Sequence, residues 1–342
     1  MIENMAKLSF SHLEYHHAIN LDIKDRRILS ELDLNARQSN SQIAKKAKLS
    51  KNIVNYRLNR LEKAGIIKGY NTLFDYSKLG YFLIRVYLDF YELDPVKEEE
   101  LIQYLKNEST TGHVFRTIGN WDLVVSFYVK NVREFWVIWS RFLEKFRRII
   151  LEYNTNIVTK EILFSKAYFL KDEIEDEAHK KNLFNKRWVR GYAVAEDVDD
   201  TDLKMVEMLT EDGRAPIGKL AKAVKLNSMS VIYRLKQLIA KGIILGYRFD
   251  ANIEKIGYAR FMVDLELEDT SVAGSLVEYC QNHPHIVSTV ESISDNNDFE
   301  FDIETEGFNT FLEIIDDMKR RFPGKIRNYK YVRVLENIKN KY

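Results

Sequence analysis

The amino-acid sequence predicts an α+β chain made of one unit used twice. Each unit is a three-helix head with a wing, followed by a βαββαβ domain. Three observations carry this. At a constant offset of 177, "KLSKNIVNYRLNRLEKAGIIKGY" (48–70) and "KLNSMSVIYRLKQLIAKGIILGY" (225–247) share 12 identities in 23 residues without a gap. Upstream, 21–49 parallels 198–226, so that Asp25 meets Asp202, Arg37 meets Arg214 and Ala44 meets Ala221. Downstream, "KLGYFLIRVYLDF" (78–90) parallels "KIGYARFMVDLEL" (255–267), and there the hydrophobic period turns from helical to strand-like. A long period present in two copies signals duplication of a whole unit rather than a solenoid.

The elements follow in chain order. An Asp-rich start and the helical spacing of Ile28, Leu29 and Leu32 predict a first helix. Ser39 or Ser41 introduces a second over about 39–47. Ser50 is a good N-cap for a third, which Gly65 ends, with Val54, Leu58 and Leu61 as its buried stripe. In the second copy Asn227 is the cap, Val231, Leu235 and Leu238 the stripe, and Gly242 the stop. Two helices and a third across a tight turn make a helix-turn-helix, and "IIKGYNTLFD" and "IILGYRFDAN" read as its wing. A strand at 81–91, a helix at 95–107, a hairpin at 114–129, a helix at 132–147 and a strand at 149–163 give the split-βαβ order of ferredoxin-like domains. The second copy repeats it at 258–267, 272–282, 286–304, 308–321 and 326–335. The boundaries are therefore an extension (1–20), a winged helix-turn-helix (21–75), a βαββαβ domain (76–165), a charged connector expected to be helical (166–196), a second winged helix-turn-helix (197–252) and a second βαββαβ domain (253–342).

Composition narrows the function classes. Net charge is only +1, but residues 21–70 hold 12 Lys/Arg against 5 Asp/Glu, residues 198–247 hold 8 against 6, and residues 258–342 hold 10 against 16. Basic charge thus sits on the first head and acidic charge on the C-terminal domain. The opening segment has no apolar h-region, no run reaches 18 apolar residues, and Cys280 is the sole cysteine. These features predict no secretory leader, no membrane span, no intrachain disulfide and no thiolate metal cage, and they fit the cytoplasm. Cys280 reads as a small buried side chain on a helix. No P-loop, GxGxxG after a strand, HExxH or GxSxG occurs, so no catalytic residue and no cofactor is expected. His16-His17 and His283-Pro284-His285 lack partners at ligand spacing and read as surface loops rather than metal sites.

A helix in the major groove reads base edges from its outward stripe while flanking cations hold phosphates. With Val54, Leu58 and Leu61 buried, the first copy presents Lys51, Asn52, Asn55, Tyr56 and Asn59, flanked by Lys45, Lys46, Lys48, Arg57 and Arg60. Arg57 has a second reading, a tie to an acidic side chain inside the head that would keep it off DNA. The second copy presents Ser228, Met229, Ile232, Tyr233 and Lys236, beside Arg234. Met229 and Ile232 stand where the first copy has Asn52 and Asn55. Apolar side chains there touch a thymine methyl or a protein partner but cannot hydrogen-bond a base. The first helix-turn-helix is therefore expected to be the stronger DNA reader.

Taken together, "LDIKDRRIL", "LSKNIVNYRLNRLEKAGIIKGY", "KLGY" and "GNWDL" (119–123), with "VDDTDLKMV", "YRLKQLIAKGIILGY" and "KIGY" in the second half, resemble the Lrp/AsnC (feast/famine) family of transcriptional regulators. The resemblance covers nearly all of the chain except 1–20 and the connector. It implies double-stranded DNA as partner, a βαββαβ (RAM-type) sensing domain that pairs with another, and a small-molecule effector such as an amino acid. In the family the central hairpin turn lies near the effector pocket, which points to Gly119, Asn120, Trp121 and Asp122. A plain tight turn with Trp121 packed on the sheet is the alternative. The second half has Asp295-Asn296-Asn297-Asp298 there and keeps only the final aspartate. A connector of about 30 residues spans about 45 Å as a helix, against roughly 34–36 Å between half-sites one turn apart, so an intrachain pseudo-dimer is permitted, alone or within a higher homo-oligomer.

Two other functions share these features. One is an architectural or protein-interaction module without sequence specificity. The other is an enzyme, since sirohaem decarboxylases use this two-domain fold. That reading requires Arg and His in the central hairpin, where this chain has His113 and Arg116 in the first half and neither residue in the second.

Overall fold

A computed structural model of the chain describes residues 18–91, 94–170, 183–295 and 297–340. The first head is α1 (Ile23–Leu34), α2 (Asn40–Lys46), α3 (Lys51–Lys63) and strand β1 (Ile67–Phe74). Its helices start where the sequence supplies caps. The Asp22 carboxylate accepts from the Asp25 N–H at 2.9 Å, Ser39 forms a capping box with Gln42, and Ser50 Oγ accepts from the Ile53 N–H at 3.3 Å. Between α2 and α3 the chain turns through Lys48 at φ 56°, and Lys225 makes the same left-handed turn at φ 55° in the second head. That head is α6 (Asp200–Glu211), α7 (Ile217–Val224), α8 (Ser228–Ala240) and β7 (Ile244–Ala251). Strands β1 and β7 pair antiparallel, and one apolar core runs from Ile28, Leu32 and Val54 to Met205, Val231 and Leu235. The heads are thus one packed body.

The first βαββαβ domain is β2 (Phe82–Phe90), α4 (Pro95–Asn107), β3 (Thr111–Gly119), β4 (Leu123–Val129), α5 (Val132–Phe146) and β5 (Ile150–Phe164). The second is β8 (Ala259–Leu267), α9 (Ala273–Asn282), β9 (Ile286–Ile293), β10 (Phe299–Thr305), α10 (Phe308–Arg321) and β11 (Ile326–Asn340). Each 15-residue last strand serves both domains. Strand β5 pairs with β2 through its first half and with β9 through its second, and β11 does the same with β8 and then β3. The order β2-β4-β3-β11-β8-β10-β9-β5 returns to β2, so the eight strands close into a ring with no free edge among them. The helices cover the outside, α4 and α5 over Ile84, Val86 and Phe127, α9 and α10 over Phe261, Val263 and Phe301. Tyr87, Phe115, Trp121, Met262 and Val332 fill the space between the two halves of the ring. The pseudo-dimer therefore forms within one chain.

The helix expected of the connector falls largely on residues 171–182, and residues 183–185 just after them are helical. Residues 1–17 and 171–182 lie outside the described residues. The flanks of the latter are a 3-10 turn at Ala167–Phe169 and a strand, β6 (Arg187–Arg190), added to the edge of β5. Strand β6 forms because Trp188 and Arg190 alternate inward, and the Arg190 Nε–H donates to Glu161 Oε2 at 2.8 Å. In the sequence these two residues are masked by the surrounding charge.

Candidate nucleic-acid interface

Helix α3 buries Val54, Leu58 and Leu61 and exposes Lys51, Asn52, Tyr56, Asn59 and Arg60, with Tyr56 68% exposed. Lys45 and Lys48 are exposed beside it, and Lys46, also exposed, reaches Glu31 at 3.2 Å. These residues make one basic and amide-bearing face. Asn55 is half-buried, its Oδ1 accepting from Asn40 Nδ2 at 2.8 Å.

Arg57, expected either at phosphate or in an internal tie, is engaged within its own head. Its guanidinium donates to Asp22 at 2.6 Å and to Asp25 at 2.8 Å, tying α3 to the start of α1, and Arg60 also contacts Asp25. Burial works against the Asp22 charge, but Arg57 and the Asp25 N–H hold its carboxyl below the usual carboxylate range. Arg234 makes the same tie in the second head, to Asp199 at 2.8 Å and Asp202 at 2.9 Å. Each arginine sits on the flank of its helix, one position past the exposed tyrosine, where an internal carboxylate lies closer than solvent. Both tie the recognition helix to the start of the first helix of its own head. The second face carries exposed Ser228, Met229, Tyr233 and Lys236, with Ile232 half-buried and Met229 74% exposed.

Reciprocal contacts hold the heads together. Arg37 donates to the carbonyls of Gly213 (2.7 Å) and Ala215 (2.8 Å), and Arg214 to that of Gln38 (3.4 Å) and to Asn40 Oδ1 (3.2 Å). The lysine of "KIGY", Lys255, donates to the Ala64 carbonyl at 3.0 Å, and the lysine of "KLGY", Lys78, to that of Lys241. These carbonyls close the opposite unit's recognition helix, where positive charge is favoured. Sequence reasoning gave these four residues no role. The available signal was their identity in both copies at positions off the helix stripe.

The 119–122 turn, expected either as an effector-pocket wall or as a plain tight turn, packs against the other half of the ring. Gly119 has φ 129°, and a Cβ there would come 2.6 Å from the Tyr331 carbonyl oxygen. Asn120 Oδ1 accepts from the Tyr331 N–H at 3.0 Å, Trp121 packs between the ring halves against Tyr87, and Asp122 Oδ2 accepts from the Phe90 N–H at 3.1 Å. Gly119 and Asn120 thus serve the β3–β11 joint, Trp121 the core between the halves, and Asp122 the end of β2. The retained aspartate does the same in both halves, since Asp298 Oδ2 accepts from the Leu267 N–H at 2.7 Å. Where Trp121 meets Tyr87, the second half pairs Asn297 Nδ2 with Asp264 Oδ1 at 2.9 Å.

A polar cavity of about 160 Å³ lies instead beneath the β1–β7 ribbon, at the mouth of the ring. Arg85, Arg190 and Arg260 enter it from three strands, with Glu161 and Asp302 among their partners. Burial and those three charges hold the His113 imidazole well below its usual range, so it is neutral. Asp302 accepts from Ser288 Oγ at 2.7 Å on Oδ2, while Oδ1 is buried without a partner. His113 and Phe115 face this cavity, whereas Arg116, one position past Phe115 and so on the opposite face of the strand, faces α4 and Glu98. The His and Arg of the hairpin therefore do not converge. His285, expected on a surface loop, is buried with Nδ1 2.9 Å from the Glu304 carbonyl and its ring stacked on Tyr168. His16 and His17 lie outside the described residues. Among the described residues no group of three or more His, Cys, Asp or Glu could hold a metal, and no helix is long and apolar enough to cross a membrane. Cys280 is fully buried on α9, which pushes its thiol pKa up.

Residues 21–68 and 198–244 each match the winged helix-turn-helix DNA-binding family. An uncharacterised HTH-type transcriptional regulator of Pyrococcus furiosus is 30% identical over 135 residues, 39% of this chain and 84% of that protein. LrpA of Pyrococcus horikoshii is 37% identical over 62 residues, 18% of this chain and 44% of its own. The chain belongs to the Lrp/AsnC family of HTH-type transcriptional regulators. It carries the family's unit twice, and its relatives in that family are named as regulators rather than enzymes. HTH-type regulator Ptr1 of Methanocaldococcus jannaschii is 31% identical over 112 residues, 33% of this chain and 74% of its own. As a fold alone, this Lrp/AsnC chain is similar to the sirohaem decarboxylase NirDL, with TM-score 0.58 and 12% identity over 93% of this chain and 92% of that one.

Proposed function

We propose that this protein is a sequence-specific transcriptional regulator whose two heads bind one operator unequally, the first reading bases and the second mainly adding affinity. The observation that carries this is the contrast between two superposable helices. On α3 the exposed stripe offers Lys51, Asn52 and Asn59, and on α8 the matching positions offer Ser228, Met229 and Lys236. Electrophoretic shifts on a selected operator should show Asn55→Ala losing specific affinity about tenfold, a typical cost of one lost base contact. Ile232→Ala should change it by less than twofold. Equal losses would sink the asymmetry, and affinity that ignores sequence would favour the architectural reading. Binding should also fall steeply with salt as neutralised phosphates release counterions.

The cavity under the ribbon is the better effector site than the 119–122 turn. It is polar, it has a buried acceptor in Asp302 Oδ1, and it touches both heads and both sensing domains. Its volume of about 160 Å³ suits a molecule the size of an amino acid. Titration calorimetry with the free amino acids on wild type and Asp302→Asn tests it. Heat that the variant abolishes supports the site, and heat unchanged by the variant places the ligand elsewhere.

A further inference from the structure

We infer that Arg214 of the second head, acting through Asn40, fixes the polarity with which Asn55 of the first head meets DNA. The relay rests on the reading that α3 contacts bases. It is a chain of two hydrogen bonds, Arg214 Nη2 to Asn40 Oδ1 at 3.2 Å and Asn40 Nδ2 to Asn55 Oδ1 at 2.8 Å.

The order of donors along it follows from chemistry. A guanidinium has five N–H donors and no acceptor, so the Asn40 atom facing Arg214 must be its oxygen. The Asn40 atom facing Asn55 is then its NH₂, and the Asn55 atom receiving that bond must again be an oxygen. Arg214 cannot turn away cheaply. The same nitrogen reaches the Gln38 carbonyl at 3.4 Å, and the guanidinium lies 4.7 Å from the centre of the Tyr70 ring. Asn40 is also held, being the first residue of α2 immediately after the Ser39 capping box.

The consequence is for base selection. A free asparagine reads adenine with both ends of its amide, accepting from N6 and donating to N7. With its oxygen turned to Asn40, Asn55 presents its NH₂ edge to the groove and forgoes the two-ended contact with adenine. In the major groove guanine N7 and O6, adenine N7 and thymine O4 accept, whereas cytosine offers only its N4 donor. Asn55 therefore favours guanine, which presents N7 and O6 side by side, and disfavours cytosine, which presents no acceptor. The relay has no counterpart in the second head. Ile217 and Ile232 occupy the positions matching Asn40 and Asn55, and Arg37 spends its donors on backbone carbonyls.

Asn40→Asp inverts the relay. An aspartate only accepts, so it would take one bond from Arg214 and one from the Asn55 NH₂, turning the Asn55 oxygen outward. Operator selection on the full-length protein, with the position read by Asn55 located as the one whose preference Asn55→Ala erases, provides the test. Wild type should favour guanine over cytosine there by about tenfold. Asn40→Asp should bind more weakly overall and favour an amino base at that position. Arg214→Gln, which can donate or accept, should leave Asn55 free and flatten the preference. Thermal melts of each variant establish that it folds. The same base in wild type and in both variants would overturn the relay while leaving DNA reading intact. Selection that enriches no sequence with any of the proteins would overturn the DNA reading and the relay with it.

Discussion

At the scale of single residues, charge placement separates DNA contacts from internal ties. Arg57 and Lys51 are six residues apart on one helix, yet the arginine serves Asp22 and Asp25 while the lysine is exposed. Asp25 is 1% exposed, so removing Arg57 leaves a buried carboxylate with Arg60 as its remaining cation. Arg57→Ala should lower stability by about 2 kcal/mol in urea unfolding, the scale of a hydrogen bond to a buried charge. Its base preferences should be unchanged at temperatures where it is folded. Asp264 gives a pH signature. Burial, only partly offset by the Asn297 bond and Arg85, pushes its carboxyl up to about 6 from an ordinary 3.8. The native state then holds a proton that the unfolded chain has released between about pH 4 and 6, so this group lowers stability as pH rises through that window. Asp264→Asn should therefore be more stable than wild type at pH 7 and about equal below pH 4. A variant no more stable at pH 7 would show that the carboxylate is better solvated than its burial implies. From sequence alone the exposed stripe of α3 is legible, because period and caps decide it. The fate of Arg57 is not, since its partners lie more than 30 residues upstream.

At the scale of elements, repeated motifs turn out to be joints between units. The "KLGY" and "KIGY" lysines grip the end of the opposite recognition helix, and the 119–122 turn presses β3 onto β11 of the other half. A resemblance read from a single-unit family points to that turn as a pocket wall. In this chain Trp121 belongs to the core between the ring halves, and its replacement Asn297 is matched by Asp264 in place of Tyr87. That paired change is visible in the aligned copies, but its meaning needs the knowledge that the two positions touch. Gly119→Ala must adopt φ near 129° with its Cβ against the Tyr331 carbonyl. It should cost about 2 kcal/mol or more in chemical denaturation and loosen the β3–β11 joint first, as read by hydrogen exchange of Val332 to Val334. The connector shows the opposite limit. Near its end Trp188 and Arg190 draw four residues onto the sheet edge, a strand that the surrounding charge does not announce.

At the scale of the whole molecule, ring closure explains why one chain carries two units. Strands β5 and β11 each pair with both domains, so neither domain has a complete sheet without the other. The ribbon and the Arg37, Arg214, Lys78 and Lys255 contacts then set the two recognition helices at a fixed separation. Covalent fusion frees the two helices to diverge, which identical subunits cannot do. The duplication is legible in sequence because scaffold residues recur at one offset, and the asymmetry is legible because the residues that differ lie on one face. The closed ring is not, since strand pairing between halves leaves no periodic trace. The most direct measurement is selection of operators from random double-stranded DNA by the full-length protein, with the mass of the complex read alongside. The account predicts one strongly specified half-site beside a degenerate one about a helical turn away, bound by a single chain or by chains each spanning both halves. A palindromic operator with two equally specified halves would contradict it.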